Sequence, residues 1–301
     1  MTTTSSHHQI TLERISREIE QLPLLPGVLF ELMKCNPEDE SFYDHMLALS
    51  QSDPPLATFI LSYANSAAYN RAGRIDDLQA ALSRVGSTTI LELLLALSVA
   101  KVFIPHRDTQ KAIWLHSLEV ANISACVAKI IDTGVKPSTA YLCGLLHDIG
   151  RFVLFQLAPD ALNDTDAKGW SSPTELVNVE QEVVGFNHAH VGYLTCKRLK
   201  LPAQVTNLIR YHHHYSAVRH PKVPQELKDS LLIVQFADDL SVMTEVHPEW
   251  KTWSHAELIQ QIRQNCIHEA WGPQTLPIEE VAAQLPMLLQ KAANSCKALG
   301  L

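Results

Sequence analysis

The chain has 301 residues, 46% of them hydrophobic and 19% charged, with a formal net charge of −8. That length can bury one large core or two modest ones. The acidic balance, with no basic run interleaved with aromatics, excludes a broad nucleic-acid-binding face. Only 11 glycines and 7% aromatics, in a chain rich in Leu, Ala and Ile, predict an all-α architecture.

Residues 1–10 are rich in Ser, Thr and His and lack the basic start and apolar block of a signal peptide. They are expected to be a disordered leader that carries His7 and His8. A first helical part is expected over residues 11–108. It opens on the extended run Leu22-Pro23-Leu24-Leu25-Pro26-Gly27 and breaks at Asn36-Pro37 and at Asp53-Pro54-Pro55. Asp53 is a candidate N-cap for a helix through Leu56, Ile60 and Ala64. The longest apolar run, Ile90–Ala100, contains Glu92 and is too short to span a bilayer, so no membrane association is expected.

A second part, residues 109–243, holds the clustered histidines. Its first helix is expected from about Thr109 to Ile131, where Ile113, His116, Val120, Ile123 and Val127 form one inward stripe. Ser172-Pro173-Thr174-Glu175 has the composition of a capping box that starts another helix. Leu201-Pro202 opens a third, which runs into His212, His213 and His214. The last part, residues 244–301, reads as a helical tail with a second capping box at Ser254 to Glu257. Trp250, Trp253 and Trp271 would anchor it. Nothing in the tail carries chemistry, and it is expected to be a structural cap. Six scattered cysteines with no CxxC pair read as reduced core residues of a cytosolic protein.

Histidine is the unusual count: 15 residues, seven of them between His116 and His214. His147-Asp148-Ile149-Gly150 follows the almost wholly apolar stretch Ala140–Leu146. Neighbouring side chains on a helix, about 100° apart, could both reach one ion at that edge. A salt-bridged or helix-capping pair would look the same. His116 points inward among aliphatics, as either a satisfied core histidine or a ligand. Asp238 shares a face with Leu231 and Val234, so it needs a cation, either a metal or an Arg or Lys partner. Its neighbour Asp239 is expected to point elsewhere, into solvent. On helical phase His190 and His214 are also expected to face solvent.

Taken in chain order, His116, His147-Asp148 and Asp238 give an H…HD…D pattern that resembles the HD phosphohydrolase superfamily, helical enzymes in which four such residues bind a divalent metal. Further motifs resemble the HDOD family. They are Glu182-x-x-Gly185-x-x-His188-Ala189-x-Val191-Gly192, Leu201-Pro202, His212-His213 and Ala237-Asp238. In the N-terminal half they are Leu22-Pro23-x-Leu25-Pro26, Asp53-Pro54-x-Leu56, Ala64-Asn65-Ser66-Ala67-x-Tyr69 and Gly86. The resemblance covers roughly Leu22 to Leu240. It implies an HD-like helical core preceded by an HDOD-type helical subdomain and followed by the tail, in a bacterial signalling protein.

HDOD domains typically resemble degenerate HD enzymes that have lost the His-Asp pair, whereas this sequence keeps His116, His147, Asp148 and Asp238. It also keeps His188, His212 and His213, which match the extra histidines of the binuclear HD-GYP phosphodiesterases. By that resemblance Asp148 bridges two metals. His116, His147 and Asp238 complete one site, and His188, His212 and His213 the other. Iron or manganese is expected first at such imidazole-rich sites, with zinc, nickel or magnesium as alternatives. The implied activity is metal-dependent hydrolysis of a nucleotide or other phosphate ester, with Asp148 and Arg151 as catalytic residues. The Gly-Tyr-Pro segment of HD-GYP enzymes is absent, the chain reading His214-Tyr215-Ser216-Ala217, so cleavage of cyclic di-GMP is not implied. Arg151 replaces the lysine that often follows HDIG, and Arg can hold a phosphate bidentately. The alternative is a regulatory module that binds metal or ligand, or a signalling protein partner, without turnover.

Overall fold

The structure is a computed structural model, and it describes residues 10–23, 27–52, 54–66, 69, 73–104, 108–273 and 275–301. The expected leader with His7 and His8, and the expected cap Asp53, lie outside the described residues. The described residues are helical, with no strand among them. The helices are α1 (Leu12–Gln21), α2 (Gly27–Leu32), α3 (Phe42–Ser52), α4 (Pro54–Ala64), α5 (Leu78–Val85), α6 (Ser87–Ala100), α7 (Asp108–Ile130) and α8 (Pro137–Leu146). There follow α9 (Ile149–Leu157), α10 (Pro159–Lys168), α11 (Pro173–Val184), α12 (His188–Arg198), α13 (Ala203–Tyr211), α14 (Gln225–Val246), α15 (His255–Asn265) and α16 (Ile278–Leu299). Short 3-10 turns cover Tyr215–Arg219, Pro248–Thr252 and Glu269–Trp271. No single helix is long and apolar enough to cross a membrane.

Two long helices form the spine. α7 packs against α8, α14 and α16, and the expected stripe of Ile113, Val120, Ile123 and Val127 is fully or almost fully buried. α14 is buried around its whole circumference from Ser230 to Thr244, because α7, α8, α11, α13 and α15 surround it. A helix enclosed in this way has no solvent face, so its polar residues must find partners within the protein. The apolar run of α6 is likewise packed inside, and Glu92 on it pairs with Lys291 of α16. Buried apolar side chains from Ile10 to Cys296 form one continuous cluster.

Two close approaches set the helix spacing around the histidines. Gly144 of α8 lies where a Cβ would meet backbone atoms of Val120 and Ala121 in α7 at 2.8–2.9 Å. Gly150 of α9 lies against α12, where a Cβ would meet the His188 carbonyl oxygen and, at 2.6 Å, the Gly192 nitrogen. Glycine removes the side chain that would hold these helices apart.

The capping signals are present with one shift. Ser254 and Glu257 form a complete capping box. Ser172 accepts from the Glu175 amide, but Glu175 reaches past it to the backbone and hydroxyl of Ser171, 2.8 and 2.7 Å away. The six cysteines are free, and four of them are buried.

Candidate metal centre

His147 and Asp148 do not share a helix, as the sequence reading had it. α8 ends with His147 as its C-cap, and α9 begins with Asp148 as its N-cap. The junction turns both side chains toward one interior point, and the His147 Nδ1–H is held by the Gly144 carbonyl at 2.7 Å. α11 ends at Gly185 in the left-handed conformation, φ 85°, which reverses the chain. Asn187 then caps α12 and leaves His188 as its first residue, aimed at Asp148. At the end of α13, His212 is the C-cap and donates from Nδ1 to the Ile209 carbonyl at 2.7 Å.

The ends of α8, α9, α12 and α13, with α7 and α14, bring all seven predicted ligands together. Ligand atoms of His116, His147 and Asp238 lie within 4.8 Å of one another, as do those of Asp148, His188, His212 and His213. The Asp148 carboxylate joins the two groups. Its oxygens lie 4.0 Å from Nε2 of His116, 3.7 Å from that of His147, 3.0 Å from that of His188 and 3.9 Å from that of His212. Asp238 Oδ1 lies 3.2 Å from His116 Nε2 and 3.8 Å from His147 Nε2. His188 Nε2 lies 2.7 Å from His213 Nε2 and 3.3 Å from His212 Nε2.

The donor chemistry fits divalent cations. A ring nitrogen that donates to a backbone carbonyl must carry the proton, so His147 and His212 turn unprotonated Nε2 lone pairs inward. His188 gives Nδ1 to Glu180 Oε2 at 2.6 Å, and the same oxygen accepts the His188 amide at 2.8 Å. His116 Nδ1 faces Ser241 Oγ at 3.0 Å, and that hydroxyl donates to Glu119 at 2.8 Å. Converging lone pairs and two ionised carboxylates at this separation repel unless a positive charge sits among them.

The ionisation equilibria agree. Burial pushes the imidazoles of His147, His212 and His213 toward the neutral form, His212 down to about 3. Burial acts the same way on His116 and His188, but the surrounding carboxylates win. Asp238 and Asp148 lift His116 to about 9, while Glu180 and Asp148 lift His188 to about 10. Asp148 and Asp238 stay ionised against the cost of burial because the imidazoles face them. Protons on His116 and His188 and a divalent ion therefore compete for the same lone pairs.

A cleft of about 400 Å³ opens above the centre, bounded by His116, Asp148, His213 and Asp238 on its floor and by Arg151 and Trp170 on its wall. Arg151 is buried with Nε 3.4 Å from Glu180 Oε1, and its guanidinium carbon lies 6.0 Å from the Trp170 ring centroid. One carboxylate, Glu180, thus orients His188 and engages Arg151. Sequence reasoning passed over Glu180, although Pro173, Leu176, Glu180 and Val184 form the same kind of buried stripe that marked His116. Glu119 and Ser241 were also missed. His190 and His214 are exposed, as expected. Asp239 is not solvated: it is 6% exposed, accepts from Tyr215 Oη at 2.9 Å and pairs with His268 Nε2 at 2.9 Å. The tail, expected as a structural cap, thus adds a polar contact to α14 beside its apolar packing.

A model of the HDOD domain matches residues 22–215. An uncharacterised protein of Treponema pallidum (strain Nichols) is 28% identical over 227 residues, which make up 74% of this chain and 43% of that protein. The chain spans less than half the length of the curated relatives it matches. Among solved structures, a protein of Shewanella amazonensis SB2B, provisionally named a phosphohydrolase, superposes with a TM-score of 0.65 at 24% identity. The alignment covers 97% of this chain and 99% of that one. A protein of Marinobacter aquaeolei VT8, provisionally named a signal transduction protein, gives a TM-score of 0.69 at 20% identity, over 98% of this chain and 63% of its own. These two likenesses establish the helical fold, and the match over residues 22–215 makes this chain a member of the HDOD family.

Proposed function

We propose that His116, His147, Asp148, His188, His212, His213 and Asp238 hold two divalent transition-metal ions and that the protein hydrolyses a nucleotide or similarly sized phosphate ester in the cleft above. The supporting observation is the Asp148 carboxylate, 3.0–4.0 Å from the Nε2 atoms of four histidines drawn from both clusters. Such an ion pair supplies Lewis acidity toward phosphoryl oxygens and a water acidified toward neutral pH. Mixed imidazole and carboxylate donors suit iron or manganese, with zinc and nickel next and magnesium last.

The chain's own groups do the rest. Arg151 lines the cleft with a guanidinium suited to phosphoryl oxygens, steadied by Glu180 and the Trp170 face. His147, His188 and His212 are 0–1% exposed, while His116, Asp148, His213 and Asp238 line the cleft, so that side of the centre is open to substrate. Nδ1 partners on His116, His147, His188 and His212 fix ring orientation before substrate arrives.

The direct test is hydrolysis by the Mn²⁺-loaded full chain of bis-p-nitrophenyl phosphate, nucleoside mono- and triphosphates and cyclic dinucleotides. Turnover on at least one ester, abolished by His147→Ala, supports the reading. Metal binding without turnover on any of them refutes the hydrolase. That outcome would leave a second reading, a signalling module with a structural metal that contacts a protein partner. The observation behind this second reading is the burial of His147, His188 and His212, which a purely structural ion would share.

Metal uptake should also release protons. Each ion displaces the proton held at His116 or His188, so about one proton per ion is expected at pH 7–8. Affinity should rise about tenfold per pH unit, up to roughly pH 9 at the His116 site and pH 10 at the His188 site. Calorimetric titration in two buffers of different ionisation enthalpy reads this number directly, and a value near zero would contradict the assignment. Without metal the sign reverses. Both histidines have folded-state values raised above 6.5, so their stabilising contribution is complete below pH 6.5 and fades as pH rises through about 9 and 10.

A further inference from the structure

His213 differs from the other candidate ligands. His116, His147, His188 and His212 each have a partner at the outer ring nitrogen, whereas His213 Nδ1 is buried with no hydrogen-bond partner among the described residues. With no partner on that side, its orientation depends more than that of the others on where the chain places it. Two residues on, Tyr215 begins a 3-10 turn and donates its hydroxyl to Asp239 Oδ1 at 2.9 Å. The other oxygen of Asp239 pairs with His268 of the tail at 2.9 Å. The His268 ring stacks on Tyr215 with centroids 3.8 Å apart, and Trp271 stands edge-on to it at 5.1 Å. Trp271 donates to Gln235 on α14 at 2.8 Å, and Gly272 packs against Arg219 at the end of the same turn.

Asp239 is the neighbour in sequence of Asp238. A single buried carboxylate thus ties three pieces together: the helix carrying one candidate ligand, the turn following another, and a tail lying beyond residues 22–215. We propose that Asp239, Tyr215 and His268 form a latch through which the C-terminal tail positions His213, and that this latch sets the affinity of the ion held by His188, His212 and His213. These are positioning residues, since none of them reaches the cleft floor. The inference rests on the two-ion reading above.

The test uses the full chain, stripped with chelator and titrated with Mn²⁺ against a chromophoric competitor, with thermal unfolding measured in parallel. Wild type is expected to bind two ions. His268→Ala should bind one ion as before and the second more weakly, by at most the about 10- to 100-fold that follows loss of a ligand's own hydrogen-bond partner. His268→Gln, which can still donate to Asp239, should recover most of that loss. Tyr215→Phe, which removes one hydroxyl and no ring, should reproduce it should the alanine variant fold poorly. A lower melting temperature with both affinities unchanged in His268→Ala and Tyr215→Phe would overturn the latch and leave the two-ion centre standing. A wild-type chain that binds no Mn²⁺ would remove both.

Discussion

Asp148→Ala is expected to lose both ions together, whereas His116→Ala and His213→Ala should each weaken only one. The reason is geometric. The Asp148 carboxylate lies within 4.0 Å of imidazoles of both groups, while among the described residues Asp238 pairs with His116 and His147 alone. Without Asp148 each remaining set is mostly neutral imidazole with less anionic charge to balance a dication. The consequence extends to stability, because a ligand that binds only the folded chain stabilises it in proportion to the logarithm of its excess. At free metal a thousandfold above the dissociation constant this is about 4 kcal/mol per ion, and a chain of this size should gain roughly 10 °C on loading. Asp148→Ala should show no such gain. Elemental analysis of the variant beside wild type, with melting curves before and after chelation, decides the matter. Retention of one full equivalent would show that Asp148 is not shared.

Gly150→Ala should be the most damaging single-methyl change around the centre. The added Cβ meets backbone on every side, the His188 carbonyl oxygen, the His188 carbonyl carbon at 2.8 Å and the Gly192 nitrogen at 2.6 Å. Backbone cannot rotate away as a side chain can, so α9 and α12 must separate. That movement carries Asp148 away from His188, now 3.0 Å apart. A loss of about 3 kcal/mol or more is expected, roughly 5 °C or more in melting temperature for a chain of this length, with metal affinity reduced in what still folds. Gly192→Ala should be milder, since the added Cβ meets the Ile209 Cγ2 methyl at 2.9 Å and reaches backbone, the Gly150 nitrogen, only at 3.2 Å. Equal melting temperatures for Gly150→Ala and wild type would show that the two helices do not need this contact.

The candidate site was largely legible before any coordinates. Periodicity placed His116 on a buried stripe, and the hydrophobic run before His147-Asp148 placed that pair inside. What escaped were residues that hydrogen-bond or pair with the candidate ligands and their neighbours. Glu180 could have been found by the stripe rule, but Asp239 could not. Its burial depends on α14 being enclosed on all sides, and its two partners come from a turn and a tail with no sequence mark of their own. The same enclosure explains why Asp238 and Asp239 are both buried although they point in different directions.

Composition and hydrophobic period by themselves determined that this chain is all-helical, and its spaced motifs marked the HDOD family and the seven polar residues that come together, because these are properties of local propensity and of side-chain type. Only the tertiary structure decided that His147-Asp148 sits at a break between helices, that Glu180 binds His188 and Arg151 at once, and that the tail reaches Asp239. Such contacts depend on which helices become neighbours, and packing many faces against one another fixes that at distances along the chain where no local pattern carries information.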